Sequence, residues 1–340
     1  MRQIFSLVLA LAFAATPAFA KNDTIVFVGG EEKTGCDVQQ ELFEEVKFAR
    51  KRERGSIDGK KILEILHGDG PASYRAGEGQ RRGGQYDKAI SSYKKAKADS
   101  SAPKWVKLYA QFRIAECQRL SGKAEAAIKS YEELKKETKH LLYPRIMIGL
   151  GQAHAGAKDW DAATAALGVV VKGSYGLWRA HADYAIGNVS LQKNDMIGAR
   201  RAFQRLQNQN DDPEMRIAGV VGEGNCYLAE KNYNGATRFF KRIIERDDLP
   251  REVAAEAWAG LGDCQLAEAK DGDATAERRG LLSYLNVVVQ YAGTPAYAKA
   301  LAKAATVYDK FGQKAQAEAL RRELRRRCPT SSYARELGKP

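Results

Sequence analysis

The sequence predicts a mainly α-helical solenoid of about seven stacked helix pairs, preceded by a small N-terminal β module. Three observations carry this prediction. The stretch GVVGEGNCYLAEKNYNGATRFFKRII, residues 219–244, reads as two short amphipathic helices around a polar turn at Lys231 to Asn234. Its second half sets Ala236, Phe240 and Ile243 on one apolar stripe, which a lone helix pair cannot bury, and the pattern recurs from Pro71 onward. Residues 23–68 are different: short segments there carry branched and aromatic residues at strand spacing.

The chain opens MRQIFSLVLALAFAATPAFA, with Arg2, an apolar run from Ile4 to Ala15 and the small-residue ending Ala18-Phe19-Ala20. That is the pattern of a secretory signal peptide, residues 1–20, cleaved after Ala20. The run is shorter than the roughly 20 residues needed to span a bilayer. The first cysteine is Cys36, so a lipoprotein anchor is not supported. The expectation is a periplasmic or secreted protein with no transmembrane anchor, for which nucleic acid is not the partner.

Residues 21–70 are expected to form the β module. DTIVFV, KTGCDVQQEL, EEVKFAR and KKILEIL read as short strands, separated by Gly29-Gly30, the charged turn RKRERGS and Asp58-Gly59. Four or five strands in so few residues would make a small barrel or a curled meander. The segment Val38 to Arg54 also suits an amphipathic helix, since QQELFEEVKFARKR is rich in helix formers; the strand reading is preferred.

From residue 71 to 335 the repeat takes over, with 336–340 left as a tail. A small residue marks each second helix: Ala89, Ala127, Ala163, Ala199, Ala236, Gly280 and Ala317, at spacings of 38, 36, 36, 37, 44 and 37. An insertion around Ala269 to Thr275 accounts for the long spacing. Twelve residues upstream of a marker stand Gly77, Ala115, Gly151, Gly187, Gly224 and Ala305, while the sixth unit has Gly262 in its first helix. Four residues after come Tyr93, Tyr131, Leu167, Phe203, Phe240 and Tyr284. In the seventh unit Arg321 replaces the large apolar residue, as suits a capping repeat with one solvent face. Phe240 and Trp258 are expected in the core.

These residues resemble the tetratricopeptide repeat, whose signature runs W-x2-L-G-x2-Y, then A-x3-F and a closing proline. Trp258-x2-Leu261-Gly262 matches the first part, and Pro329 closes the last unit. The ending RRCPTSSYAREL is similar to repeat ends in exported bacterial members involved in envelope assembly and cell division. The resemblance implies a non-catalytic scaffold or adaptor that binds a protein or peptide partner along a concave face, with a role in cell-envelope organisation.

No catalytic constellation stands out. Glycine pairs such as Gly149-x-Gly151 and Gly222-x-Gly224 lie inside expected helices, where close packing explains them better than a phosphate loop. His67, His140, His154 and His181 show no metal-ligand spacing, and no nucleophile stands with a base. The expectation is no enzyme, no metal and no cofactor. Cys117, Cys226 and Cys264 share one repeat position, where other copies have Gly79, Ala153, Val189 and Val307, so they are expected as small core residues and mostly free thiols.

Two candidate sites remain. One residue before the cysteine position lies a wholly polar row: Glu78, Glu116, Gln152, Asn188, Asn225, Asp263 and Thr306. By the resemblance this row points into the concave groove, and Arg145 and Tyr184, earlier in their helices, line it too. Side-chain amides there suit an extended backbone, offering both donors and acceptors. The alternative site follows from charge. The formal net charge is +13, and residues 299–340 alone hold eleven Lys/Arg against four acids. There Arg321, Arg322, Arg325, Arg326 and Arg327 would meet an anionic envelope polymer or membrane surface.

Overall fold

The computed structural model describes residues 22–208, 213–246, 249–269, 273–329 and 331–337. The expected signal peptide and residues 338–340 of the expected tail lie outside them. The described chain forms two compact units, one running up to Gly70 and including Lys139–Leu141, the other comprising the rest from Pro71.

The first unit is a five-stranded antiparallel sheet: β1 (Asp23–Phe27), β2 (Glu32–Glu41), β3 (Val46–Arg50), β4 (Glu53–Ile57) and β5 (Ile62–Leu66), in the order β4-β3-β2-β1-β5. The ten-residue β2 is shared, its first half pairing with β1 and its second with β3, with a register shift between Val38 and Gln40. The sheet curls, because Lys33 at the start of β2 reaches Glu53 on β4 at 2.6 Å. β5 returns to pair with β1, so this is not a simple meander. No helix forms over Val38 to Arg54: Cys36, Val38, Val46 and Phe48 are buried with their neighbours turned out, a period of two. The segment expected as the turn RKRERGS holds the first four residues of β4. Four of its five residues are exposed and the fifth is half-buried, so it offers no apolar alternation to read, as befits a charged edge strand.

Asp23 is buried at the heart of this unit, accepting from Val38 N at 3.0 Å and Gly68 N at 3.1 Å. His67 Nδ1 lies 3.4 Å from Asp23 and its Nε2 3.3 Å from Glu41, with the imidazole 3% exposed. Burial alone would lower the His67 pKa, but the two carboxylates reverse that and push it up to about 9. Asp69 also comes close, within 4.8 Å of the Asp23 and His67 ligand atoms. As arranged here, the imidazole sits between the Asp23 and Glu41 carboxylates as a buried ion-pair cluster.

The second unit stacks seven helix pairs. They are α1 (Ala72–Arg82) with α2 (Tyr86–Ala98), α3 (Lys104–Leu120) with α4 (Ala124–Leu134), and α5 (Tyr143–Gly156) with α6 (Trp160–Lys172). Then follow α7 (Leu177–Gln192) with α8 (Met196–Asn208), α9 (Pro213–Ala229) with α10 (Tyr233–Ile244), α11 (Arg251–Glu268) with α12 (Ala274–Gln290), and α13 (Pro295–Lys310) with α14 (Lys314–Arg327). A short α15 (Ser332–Glu336) follows. The turn inside each hairpin holds a left-handed residue five positions before the marker: Gly84, Gly122, Lys158, Asn194, Lys231 and Gly312. The sixth hairpin departs from this series: five positions before Gly280 stands Thr275, already inside α12.

Every marker residue is buried, and the large residue four positions on is at most 1% exposed in each of the first six pairs. The glycines explain how the pairs interlock. A Cβ built on Gly77, Gly151, Gly187, Gly224 or Gly262 would come closer than 3.0 Å to the large side chain of its own pair, namely Tyr93, Leu167, Phe203, Phe240 or Tyr284. A Cβ on Gly149, Gly222 or Gly260 would strike the large residue of the preceding pair: Tyr131, Phe203 or Phe240. The spaced glycines of α5, α9 and α11 are therefore two-sided sockets, each holding one side chain from its own pair and one from the pair before. Gly79 is not part of such a socket, with nothing within 4 Å. Phe240 is fully buried as expected, whereas Trp258 is only half-buried. Cys117, Cys226 and Cys264 are fully buried at their common position.

Candidate partner-binding face

The polar row one residue before the cysteine position lies on the first helices, and its members differ sharply in what they touch. At the N-terminal end it is locked by charge. Arg113 on α3 is 6% exposed and bridges Glu78 at 2.9 Å and Glu116 at 2.7 Å. Arg81 adds a second cation to Glu78 at 2.9 Å, and the Tyr93 hydroxyl donates to Glu78 at 2.7 Å. Arg145 lies 3.8 Å from Glu116, with its guanidinium 5.0 Å from the Phe112 ring and 5.5 Å from the Trp178 ring. Burial would raise both carboxyl pKa values, but Arg113 first, with Arg81 beside Glu78 and Arg145 beside Glu116, holds them below the usual range.

The C-terminal end is locked as well. Asp263 accepts from the Tyr284 hydroxyl at 2.6 Å and pairs with Lys299. Burial would lower the Lys299 pKa, yet the Asp263 charge and hydrogen bond raise it. Glu256 on the same helix is shifted upward by burial.

The middle is open. Gln152, Asn188 and Asn225 occupy the same position on three consecutive first helices, half-buried or exposed, and none has a side-chain hydrogen bond among the described residues. Tyr184, 38% exposed, stands one turn before Asn188 with its ring 6.2 Å from Phe203. The expected residues thus divide: Gln152, Asn188, Asn225 and Tyr184 present unspent groups, while Arg145 and Asp263 are engaged in the protein's own contacts. Sequence reasoning missed Arg81, Arg113, Trp178, Glu256 and Lys299, which build the locked ends. Charged residues in first helices otherwise rich in small side chains were the available signal.

The basic cap is largely self-neutralised. Arg321 pairs with Asp309, Arg325 with Glu318 at 2.5 Å, and Arg326 and Arg327 both pair with Glu323 at 2.6 and 2.7 Å. Of the five arginines only Arg322, exposed, has no acid partner among the described residues.

The family model described as tetratricopeptide repeat matches residues 71–100 and 109–137. Similar solved structures include a tetratricopeptide repeat protein from Parabacteroides merdae, 16% identical, covering 78% of this chain and 98% of that one at a TM-score of 0.49. The C-terminal part of a repeat-containing protein from Cytophaga hutchinsonii is 18% identical over 78% of this chain and 100% of its own, at a TM-score of 0.41. A Rap protein complexed with competence and sporulation factor is 15% identical, with 78% and 74% coverage and a TM-score of 0.47. No curated protein matches the sequence.

Seven helix pairs in one register, interlocked through shared sockets, define a helical-hairpin repeat protein of the kind that serves protein interaction. The family match makes its first two pairs tetratricopeptide repeats, and the later pairs continue them in the same register.

Proposed function

We propose that this protein is an exported, non-catalytic scaffold of the cell envelope. In this reading it binds an extended peptide segment of a partner across α5, α7 and α9. One observation carries the proposal: three amides at the same position of successive first helices have no side-chain partner among the described residues, while both ends of their row are tied up in ion pairs. An extended backbone offers alternating donors and acceptors, which a ladder of amides can match. Tyr184 adds an aromatic surface beside them. Export rests on the first twenty residues of the sequence. Binding of an anionic polymer through Arg321, Arg322, Arg325, Arg326 and Arg327 has less support, because four of the five already have acid partners.

The test is crosslinking capture from the native envelope, with the Asn188→Ala/Asn225→Ala double variant beside the wild type. Captured partner should fall at least tenfold, about 1.4 kcal/mol, with the helical circular dichroism unchanged. Unchanged capture by this variant, lost instead on neutralising Arg325 to Arg327, would move the site to the basic cap.

A further inference from the structure

The second-helix side of the repeat unit carries the same cleft three times. Each is walled by the second helices of two consecutive pairs and floored by the first helix between them. The one over α3 has a volume of about 460 Å³, the one over α5 about 350 Å³, and the one over α11 about 810 Å³. The three are one site in different repeats, since their floors use the same positions: Gln111, Met147 and Trp258, then Ile114, Leu150 and Leu261.

That equivalence gives an internal control. Ile244 on the wall of the α11 cleft stands where the other two have Lys97 and Lys135. Leu282 stands where the α3 cleft has Lys129, and Val289 corresponds to Lys136 and Lys172 in the second and third pairs. Solvent exposure favours lysine at such positions, yet Leu282 is 65% and Val289 78% exposed. Two cations on the rim, Lys241 and Arg279, have no ion-pair partner among the described residues, and one anion, Glu245, lines the same rim. Asn286 Oδ1, also in the lining, is buried with no hydrogen-bond donor.

We propose that the cleft over α11 is a second docking site, opposite in character to the amide row, for an amphipathic helix of a partner protein with acidic residues flanking its apolar stripe. The shape specifies a helix. Leu282, Leu285 and Val289 lie at i, i+3 and i+7 on α12, a ridge that packs against the same spacing on an incoming helix. An extended strand would need a run of backbone partners, and helical walls offer none. The charge specifies acidic flanks, because Lys241 and Arg279 outnumber Glu245. It also argues against a second copy of this chain in the cleft, since a symmetric pairing would bring the same two cations face to face.

The probe is a synthetic amphipathic peptide of about 18 residues, long enough to hold helix, with a leucine stripe and glutamate flanks, followed by fluorescence anisotropy on the full chain. A second peptide has the same stripe with lysine flanks. The glutamate peptide should bind wild type saturably and the lysine peptide at least tenfold more weakly. Leu282→Lys/Val289→Lys restores residues that the other repeats carry there, so it should fold, and it should lose at least tenfold in affinity. Arg279→Glu, a rim change that leaves the apolar wall intact, should reverse the preference between the two peptides. Asn188→Ala/Asn225→Ala should bind the glutamate peptide like wild type, which separates this site from the amide row. Any of four results would overturn the proposal: no saturable binding, equal binding of both peptides, an unaffected lysine double variant, or self-association of the chain that this double variant abolishes.

Discussion

Replacing a socket glycine by alanine should reverse the usual sign of that substitution. In an ordinary helix interior Gly→Ala stabilises by roughly 0.8–1 kcal/mol. At Gly224 and Gly260 the added Cβ would lie closer than 3.0 Å to the Phe240 ring, one from each side. Carbon atoms pack at about 3.5–4.0 Å, so the ring or a helix must yield by at least ~0.5 Å. Overpacking of that kind costs about 1–3 kcal/mol. After the propensity gain, each variant should lose up to about 2 kcal/mol. Gly168 on α6 is the control, with nothing within 4 Å of its Cβ position, and Gly168→Ala should stabilise by up to ~1 kcal/mol. The assay is urea unfolding followed by far-UV circular dichroism. Because both alanines push on one ring, the double variant should cost at least ~0.5 kcal/mol less than the sum of the singles. If Gly224→Ala and Gly260→Ala stabilise as Gly168→Ala does, the socket account is wrong.

Other outcomes follow from the charges and thiols. Arg113→Ala would leave Glu78 with Arg81 alone and Glu116 with only the more distant Arg145, at a cost of up to about 3 kcal/mol near neutral pH. Both carboxyl pKa values are lowered in the fold, so their contribution is present above the unfolded carboxylate range and fades as pH falls through the folded values. The deficit of the variant, read by urea midpoints, should therefore shrink on acidification. His67 runs the other way: its folded pKa of about 9 lies above the unfolded value of about 6.5. Its stabilisation, on the order of 3 kcal/mol, should be complete below pH ~6.5 and vanish as pH rises through about 9. Hydrogen exchange of β1 and β5 against pH should show that loss in wild type but not in His67→Gln. Burial pushes the Cys117 and Cys264 thiols up to about 12 and that of Cys226 to about 11. A thiol-specific chromogenic reagent should therefore modify the half-buried Cys328 in the native protein and reach these three only after denaturation.

The helical architecture was legible because a socket constrains single residues. Gly77 and Gly151 must be small because Tyr93 and Leu167 arrive there from the facing helix, and that requirement leaves a mark in repeat after repeat. Strand β4 left none, since Glu53 to Ile57 has no face turned fully to the core. The ion-pair ladder was equally silent. Glu78 and Arg113 are 35 positions apart and occupy different offsets in their repeats, so no period links them. Of the candidate face, the position of the row could be read from sequence. Which of its members were already spent on internal partners could not, because that depends on side chains arriving from the next helix.

The sockets also give the array a direction in time. Tyr131 is covered by its own pair on one side and by Gly149 of the following pair on the other. As the chain emerges N-terminus first, a new pair therefore shows a bare ring until the next first helix emerges and closes over it. Phe203 waits for Gly222 and Phe240 for Gly260 in the same manner. Each step of emergence conceals the sticky surface left by the step before, so the array exposes about one unfinished seam at a time. The seventh pair, with Arg321 where a ring would stand and Asp309 to meet it, breaks that relay without leaving a ring uncovered.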